Sequence, residues 1–140
     1  MKRFLVAGIV GIVIVMTLAA CGGGTTTDGG WLAQEQGEVY FLQSKNGTGP
    51  VDYAYQSNGQ VHRYHGEIVV HNDGTIEVDG MVDGKLKDCS ACPYQLTNGN
   101  LVIDYKYQSY AIGGGTVSGT MTLSTSDAST YQQDVQKLTS

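Results

Sequence analysis

In several segments between Val51 and Ser124 the chain alternates apolar and polar residues with a period of two, the spacing of a half-buried strand. Val51, Tyr53 and Tyr55 oppose Asp52, Ala54 and Gln56. Tyr64, Ile68 and Val70 oppose Arg63, His65 and Glu67. Over Thr75–Val82 the dry side is Ile76, Val78 and Val82, against Glu77, Asp79 and Met81. Leu101, Ile103, Tyr105 and Tyr107 oppose Val102, Asp104 and Lys106, and Val117, Gly119, Met121 and Leu123 oppose Ser and Thr. One dry face and one wet face imply antiparallel sheet. The runs are separated by Asn46-Gly47, Asn58-Gly59, Asn72-Asp73-Gly74, Asp83-Gly84, Asn98-Gly99 and Gly113-Gly114-Gly115. Such residues tolerate the positive φ of tight hairpins. The pattern predicts a mainly β fold, an antiparallel up-and-down barrel of about eight strands. Glu38–Gln43 is expected first and Thr116–Ser124 last, with a sandwich as the alternative.

The period changes near the C-terminus. Ser129 is positioned as an N-cap with Gln132 reaching back to it. Tyr131, Val135 and Leu138 recur at i, i+4 and i+7 and form one apolar stripe. A short C-terminal helix laid on the outside of the barrel is expected.

The N-terminus has another pattern. Lys2 and Arg3 precede an uncharged apolar run from Phe4 to Leu18, followed by the small residues Ala19 and Ala20. This is the layout of a cleaved secretory signal. The 17 residues from Phe4 to Ala20 fall short of the roughly 20 that cross a bilayer. Leu18-Ala19-Ala20-Cys21 resembles the lipobox of bacterial lipoproteins. The resemblance implies cleavage before Cys21, a diacylglyceryl group on its thiol and usually an acylated α-amine, with chains such as palmitate. Two or three such chains hold a protein on a membrane essentially permanently. It also implies a cell-envelope location, and the outer membrane in a Gram-negative source, because Gly22 rather than aspartate follows the cysteine.

The chain therefore divides into a leader over 1–20, a lipidated Cys21 with a Gly/Thr tether over 21–30, and one domain over 31–140 beginning at Trp31. Without Lys2 and Arg3, six basic residues face thirteen acidic ones, a net charge of about −7. That balance excludes nucleic acid as a partner. It also excludes electrostatic docking on anionic lipid, so membrane contact is assigned to the anchor.

With Cys21 taken by lipid, as the resemblance implies, Cys89 and Cys92 remain. In an exported protein they are expected as a disulfide; a redox pair or half of a metal site are the alternatives. His62, His65 and His71 offer imidazoles, but a regular strand points His62 away from the other two. No metal or cofactor is expected. His65, Glu67 and His71 share a wet face, where a general base would sit. No Gly-x-Ser-x-Gly elbow occurs, and the spacing of Asp73, Asp79 and Asp83 does not fit a calcium loop. The chain is not read as an enzyme.

All nine tyrosines lie in the predicted domain, against one phenylalanine, Phe41, and one tryptophan. Tyr53, Tyr55, Tyr105 and Tyr107 share faces with aliphatic residues and are the candidate ligand-binding set. Gly29-Gly30-Trp31 is similar to the Gly-x-Trp signature that opens the first strand in lipocalins. That likeness implies a small apolar ligand enclosed in the barrel. The Cys21-Gly-Gly-Gly start is similar to surface lipoproteins whose small barrels bind host proteins. Two functions follow as expectations: a lipid-anchored barrel that binds a small amphipathic ligand, or a filled β scaffold that engages an envelope or surface protein.

Overall fold

The computed structural model describes residues 28–111 and 113–139; Cys21 and the leader lie outside them. The strands are β1 (Gly29–Glu35), β2 (Glu38–Ser44), β3 (Thr48–Ser57), β4 (Gln60–Val70), β5 (Thr75–Asp79), β6 (Cys92–Thr97), β7 (Asn100–Gln108) and β8 (Thr116–Thr125), followed by helix α1 (Ala128–Lys137). Each strand pairs antiparallel with the next, and β8 returns to β1 through Trp31↔Thr125 and Leu32↔Ser124. The sheet is a closed eight-strand barrel, not a sandwich.

Turn chemistry accounts for the meander. Asn46, Asn58 and Asn98 have φ between 53° and 57°, and the glycine after each is also left-handed. These pairs make two-residue hairpin turns whose twist suits the flanking strands. A fourth turn, Gln36-Gly37, joins β1 to β2 and was not among the predicted ones.

The first strand is therefore Gly29–Glu35, and the expected first strand is the second. Gly29 and Gly30, assigned to the tether, belong to it because their backbones pair with Ser44 and Gln43. Trp31 follows with its ring buried in the core. A second correction concerns Met81 and Val82. β5 ends at Asp79, and Gly80 turns the chain at φ 81°, which breaks the two-residue period. Met81 is consequently buried and Val82 is 68% exposed.

The barrel interior is packed with residues from all the strands, including Leu42, Val51, Ile68, Ile76, Ile103 and Leu123. A second, smaller cluster lies outside the sheet. There Tyr131 and Val135 of α1 cover Val39, Phe41 and Ala54, with Leu138 partly buried at the edge. Tyr131 stacks on Phe41 at 5.7 Å between ring centroids. Ala54, on the nominally wet side of β3, is buried because the helix lies over it. The helix cap is Asp127 rather than Ser129; its carboxylate accepts the Thr130 N–H at 2.8 Å. That hydrogen bond holds the Asp127 carboxyl below its ordinary pKa.

The meander gives the barrel two distinct ends. One carries the start of β1 and the β2–β3, β4–β5 and β6–β7 turns. The other carries the β1–β2 and β3–β4 turns, the β7–β8 loop and the long β5–β6 connection.

Candidate functional site

The β5–β6 connection, Gly80–Ala91, does not loop outward. Met81, Leu86 and Cys89 belong to the interior cluster, and Leu86 is only 1% exposed. The segment is a plug in the mouth of the barrel. Gly84, at φ 89°, lies flat against the Tyr53 ring, which would sit 2.9 Å from a Cβ there. The Lys85 N–H donates to Tyr40 Oη at 3.3 Å, and Lys85 Nζ donates to Glu35 Oε1 at 2.5 Å. Burial lowers the Lys85 ammonium, but the Glu35 carboxylate outweighs it and the net shift is upward.

Beneath the plug, Glu38 Oε1 accepts the hydroxyls of Tyr40 at 2.9 Å and Tyr53 at 2.6 Å. The two rings stack at 4.5 Å. Burial pushes both hydroxyls far above the usual tyrosine range. The Glu38 carboxylate adds to this, by its charge at Tyr40 and its hydrogen bond at Tyr53. Both therefore remain protonated donors. Nothing in the sequence marks Glu38, Tyr40, Lys85 or Leu86 as a set; only the topology assembles them.

The candidate tyrosines are all at this end. Tyr53 is 4% exposed and stacks on Tyr55 at 5.5 Å and Tyr64 at 5.9 Å. Tyr55 lies nearer the rim, stacked on His62 at 5.0 Å. A hydrogen bond with Tyr64, then desolvation and the nearby Asp83 carboxylate, push the Tyr55 hydroxyl up to about 12. On β7, Tyr105 and Tyr107 stack at 6.1 Å. Lys85 Nζ lies 5.7 Å from the Tyr105 centroid, and Lys87 Nζ lies 5.5 Å from Tyr107 and 4.1 Å from the exposed Tyr110. The plug thus contacts both tyrosine pairs, Tyr53 through Gly84 and Tyr105 through Lys85. Met81, Leu86 and Cys89 of this segment are buried at the mouth by which an enclosed ligand would enter.

Cys89 and Cys92 form a disulfide, and both are buried. Closing so small a loop contributes about 2 kcal/mol in the chain-entropy picture. The bridge fixes the end of the plug where β6 begins, and the Val78 N–H donates to the Cys89 carbonyl at 2.7 Å. While the bridge is closed, its sulfurs are not available as thiolate ligands.

Two open grooves lie on the outside. One, of about 580 Å³, runs between the disulfide loop and β7–β8; Tyr105, Lys106, Pro93 and Ala91 are among its walls. The other, of about 390 Å³, is lined by His65, Glu67 and Asp79 and by Gly49, Gly66 and Gly80. His65 Nδ1 lies 2.8 Å from Asp52 Oδ1, and His71 Nε2 lies 3.1 Å from Glu77 Oε1. The two histidines have separate carboxylate partners, and the disulfide lies in the other groove. Among the described residues, no group of three His, Cys, Asp or Glu side chains is arranged to hold a metal.

No family model matches the chain, and no curated protein or solved structure matches it either.

Proposed function

We propose that this chain is a lipid-anchored envelope lipoprotein, held by acyl chains on Cys21, whose filled barrel is a scaffold for binding another envelope or surface protein. The observation that carries the reading is the packed interior. An eight-stranded barrel has room either for its own side chains or for one small ligand. Here Leu86 and Met81 fill the mouth, and the Tyr53 hydroxyl is committed to Glu38. Contacts are left to the outer surface.

The topology also supports an orientation for such an anchor. Asp28 follows Cys21 by only seven positions and leads directly into β1. An anchor on Cys21 puts the β1-start end toward the lipid and the plugged, tyrosine-rich end away from it. Tyr55, Tyr107 and Tyr110 then face outward from the membrane, where a protein partner is met.

A second reading has one observation in its favour. Tyr105 lines the open 580 Å³ groove, and that volume lies within the range of small-molecule clefts. A small amphipathic ligand would sit there, outside the barrel.

Native mass spectrometry of the mature protein released from membranes separates the two. The scaffold reading expects diacylglyceryl mass on the Cys21 peptide, no retained small molecule, and one stoichiometric protein after mild cross-linking in cells. A stoichiometric amphipathic ligand overturns it in favour of the second reading. An unmodified Cys21 in protein that stays in the aqueous phase of a detergent extract removes the anchor.

A further inference from the structure

The 580 Å³ groove is also a break in the sheet. At the end of β7, Gln108 turns its backbone away from β8: its N–H donates to Asp88 Oδ2 and its carbonyl accepts Lys87 Nζ, each at 2.9 Å. Backbone groups alternate in direction along a strand. Lys106 and Asp104 therefore turn theirs the same way, toward β6 and into the groove. On that side the β6–β7 register stops at Tyr94↔Ile103. The residue next in line, opposite Asp104, is Pro93, which has no N–H to give. Beyond it the disulfide carries the chain off into the plug. The Asp104 carbonyl and both backbone groups of Lys106 are left facing a groove open to solvent.

We propose that this edge of β7 binds a short extended segment of a partner protein by strand addition. The inference rests on the scaffold reading above and names the chemistry of its partner. An acceptor, a donor and a second acceptor spaced along a strand are matched by another extended backbone. The strand period also fixes the side chains. A residue opposite Tyr105 points inward, over that ring and the Cys89–Cys92 bridge, so it is small or apolar. Its neighbours point outward beside Asp104 and Lys106, where polar residues fit. Natural sheets usually protect such an edge with charge, and the exposed Lys106 side chain supplies one on the outer face of β7.

The test uses the mature protein in detergent and a displayed library of random seven-residue peptides. Lys106→Pro deletes the groove-facing N–H without touching the β7–β8 ladder, because the Lys106 N–H does not face β8. Lys106→Gln removes the charge and keeps the backbone. A selected peptide is expected to bind Lys106→Gln within about threefold of the parent and Lys106→Pro about tenfold or more weakly, the size of one hydrogen bond. N-methylation of the peptide's central residue on the unaltered protein is expected to cost the same, which covers the case of a misfolded proline variant. Peptides insensitive to both changes, or no selected peptide, overturn the proposal. So does self-association abolished by Lys106→Pro, which would make a second copy the occupant. If the cross-linked envelope protein still binds Lys106→Pro at full strength, the edge is wrong while the scaffold reading stands.

Discussion

Replacing Leu86 by alanine tests whether the β5–β6 segment is a structural plug. Leu86 is 1% exposed and packs inside a ring of eight paired strands. Leu→Ala in a core costs about 2–5 kcal/mol, the higher values where the cavity cannot collapse. Strands tied to both neighbours close poorly around a void, although the plug itself is free to settle inward. We therefore expect about 3 kcal/mol. For a domain of this size that is roughly a 12 °C fall in Tm, at about 4 °C per kcal/mol. The control is Val82→Ala, four residues earlier and 68% exposed, which should change stability by less than about 0.5 kcal/mol. Urea denaturation of the chain from Asp28 onward, followed by near-UV circular dichroism, measures both. A loss below about 1 kcal/mol for Leu86→Ala, or equal losses for the two variants, refutes the plug.

Glu38→Ala should cost about 2–4 kcal/mol, because the Tyr40 and Tyr53 hydroxyls both lose their acceptor. Adding Tyr40→Phe and Tyr53→Phe should recover part of that in the same denaturation assay. Reducing the Cys89–Cys92 bridge, or replacing both residues by serine, should lower stability by about 2 kcal/mol while the barrel stays folded. Amide exchange should then accelerate first at Val78, whose N–H is held by the Cys89 carbonyl. Burial raises the hydroxyl pKa of Tyr40, Tyr53 and Tyr131, the last up to about 12. A raised folded-state pKa contributes stability that is complete below the unfolded value near 10 and is lost as pH rises through the folded value. The unfolding free energy should thus be flat from pH 7 to 9 and fall from pH 10 to 12. Absorbance at 295 nm should show fewer than nine tyrosinates before the cooperative transition.

The strand count and the barrel were legible because the chain states them locally. Period-two alternation and three Asn-Gly turns are short-range signals, and each hairpin reads without reference to the rest. The helix stripe was legible for the same reason, since Tyr131 and Val135 need only the helical period to share a side. What failed was either masked or non-local. β1 begins with two glycines that continue a glycine-rich run, so composition hides a strand that backbone pairing alone defines. Met81 and Val82 exchanged sides because one left-handed glycine resets the alternation. The plug was invisible because Leu86 has no periodic neighbours and is defined by what lies across the barrel from it. The tyrosines show the difference at the site. Pairing Tyr53 with Tyr55 and Tyr105 with Tyr107 on common faces was readable, and those pairs do stack. That a segment of the chain lies against both pairs was not.

That segment also bears on the choice between the two proposed functions, on energetic grounds. To admit a ligand inside, the plug must leave the mouth. It would give up the burial of Leu86, about 3 kcal/mol at the upper end for a leucine side chain, and the partly exposed Lys85–Glu35 pair, about 1 kcal/mol at most. A state about 4 kcal/mol above the ground state is populated at roughly one part in a thousand, and apparent affinity falls by that factor. A ligand with nanomolar intrinsic affinity for the open barrel would then bind at micromolar concentration. The edge of β7 carries no such penalty. Its backbone groups already face solvent, Pro93 and the disulfide hold the opposing chain away from it, and a partner need only displace water. With comparable contacts in the two places, binding at the outer surface is favoured by the whole cost of opening the mouth.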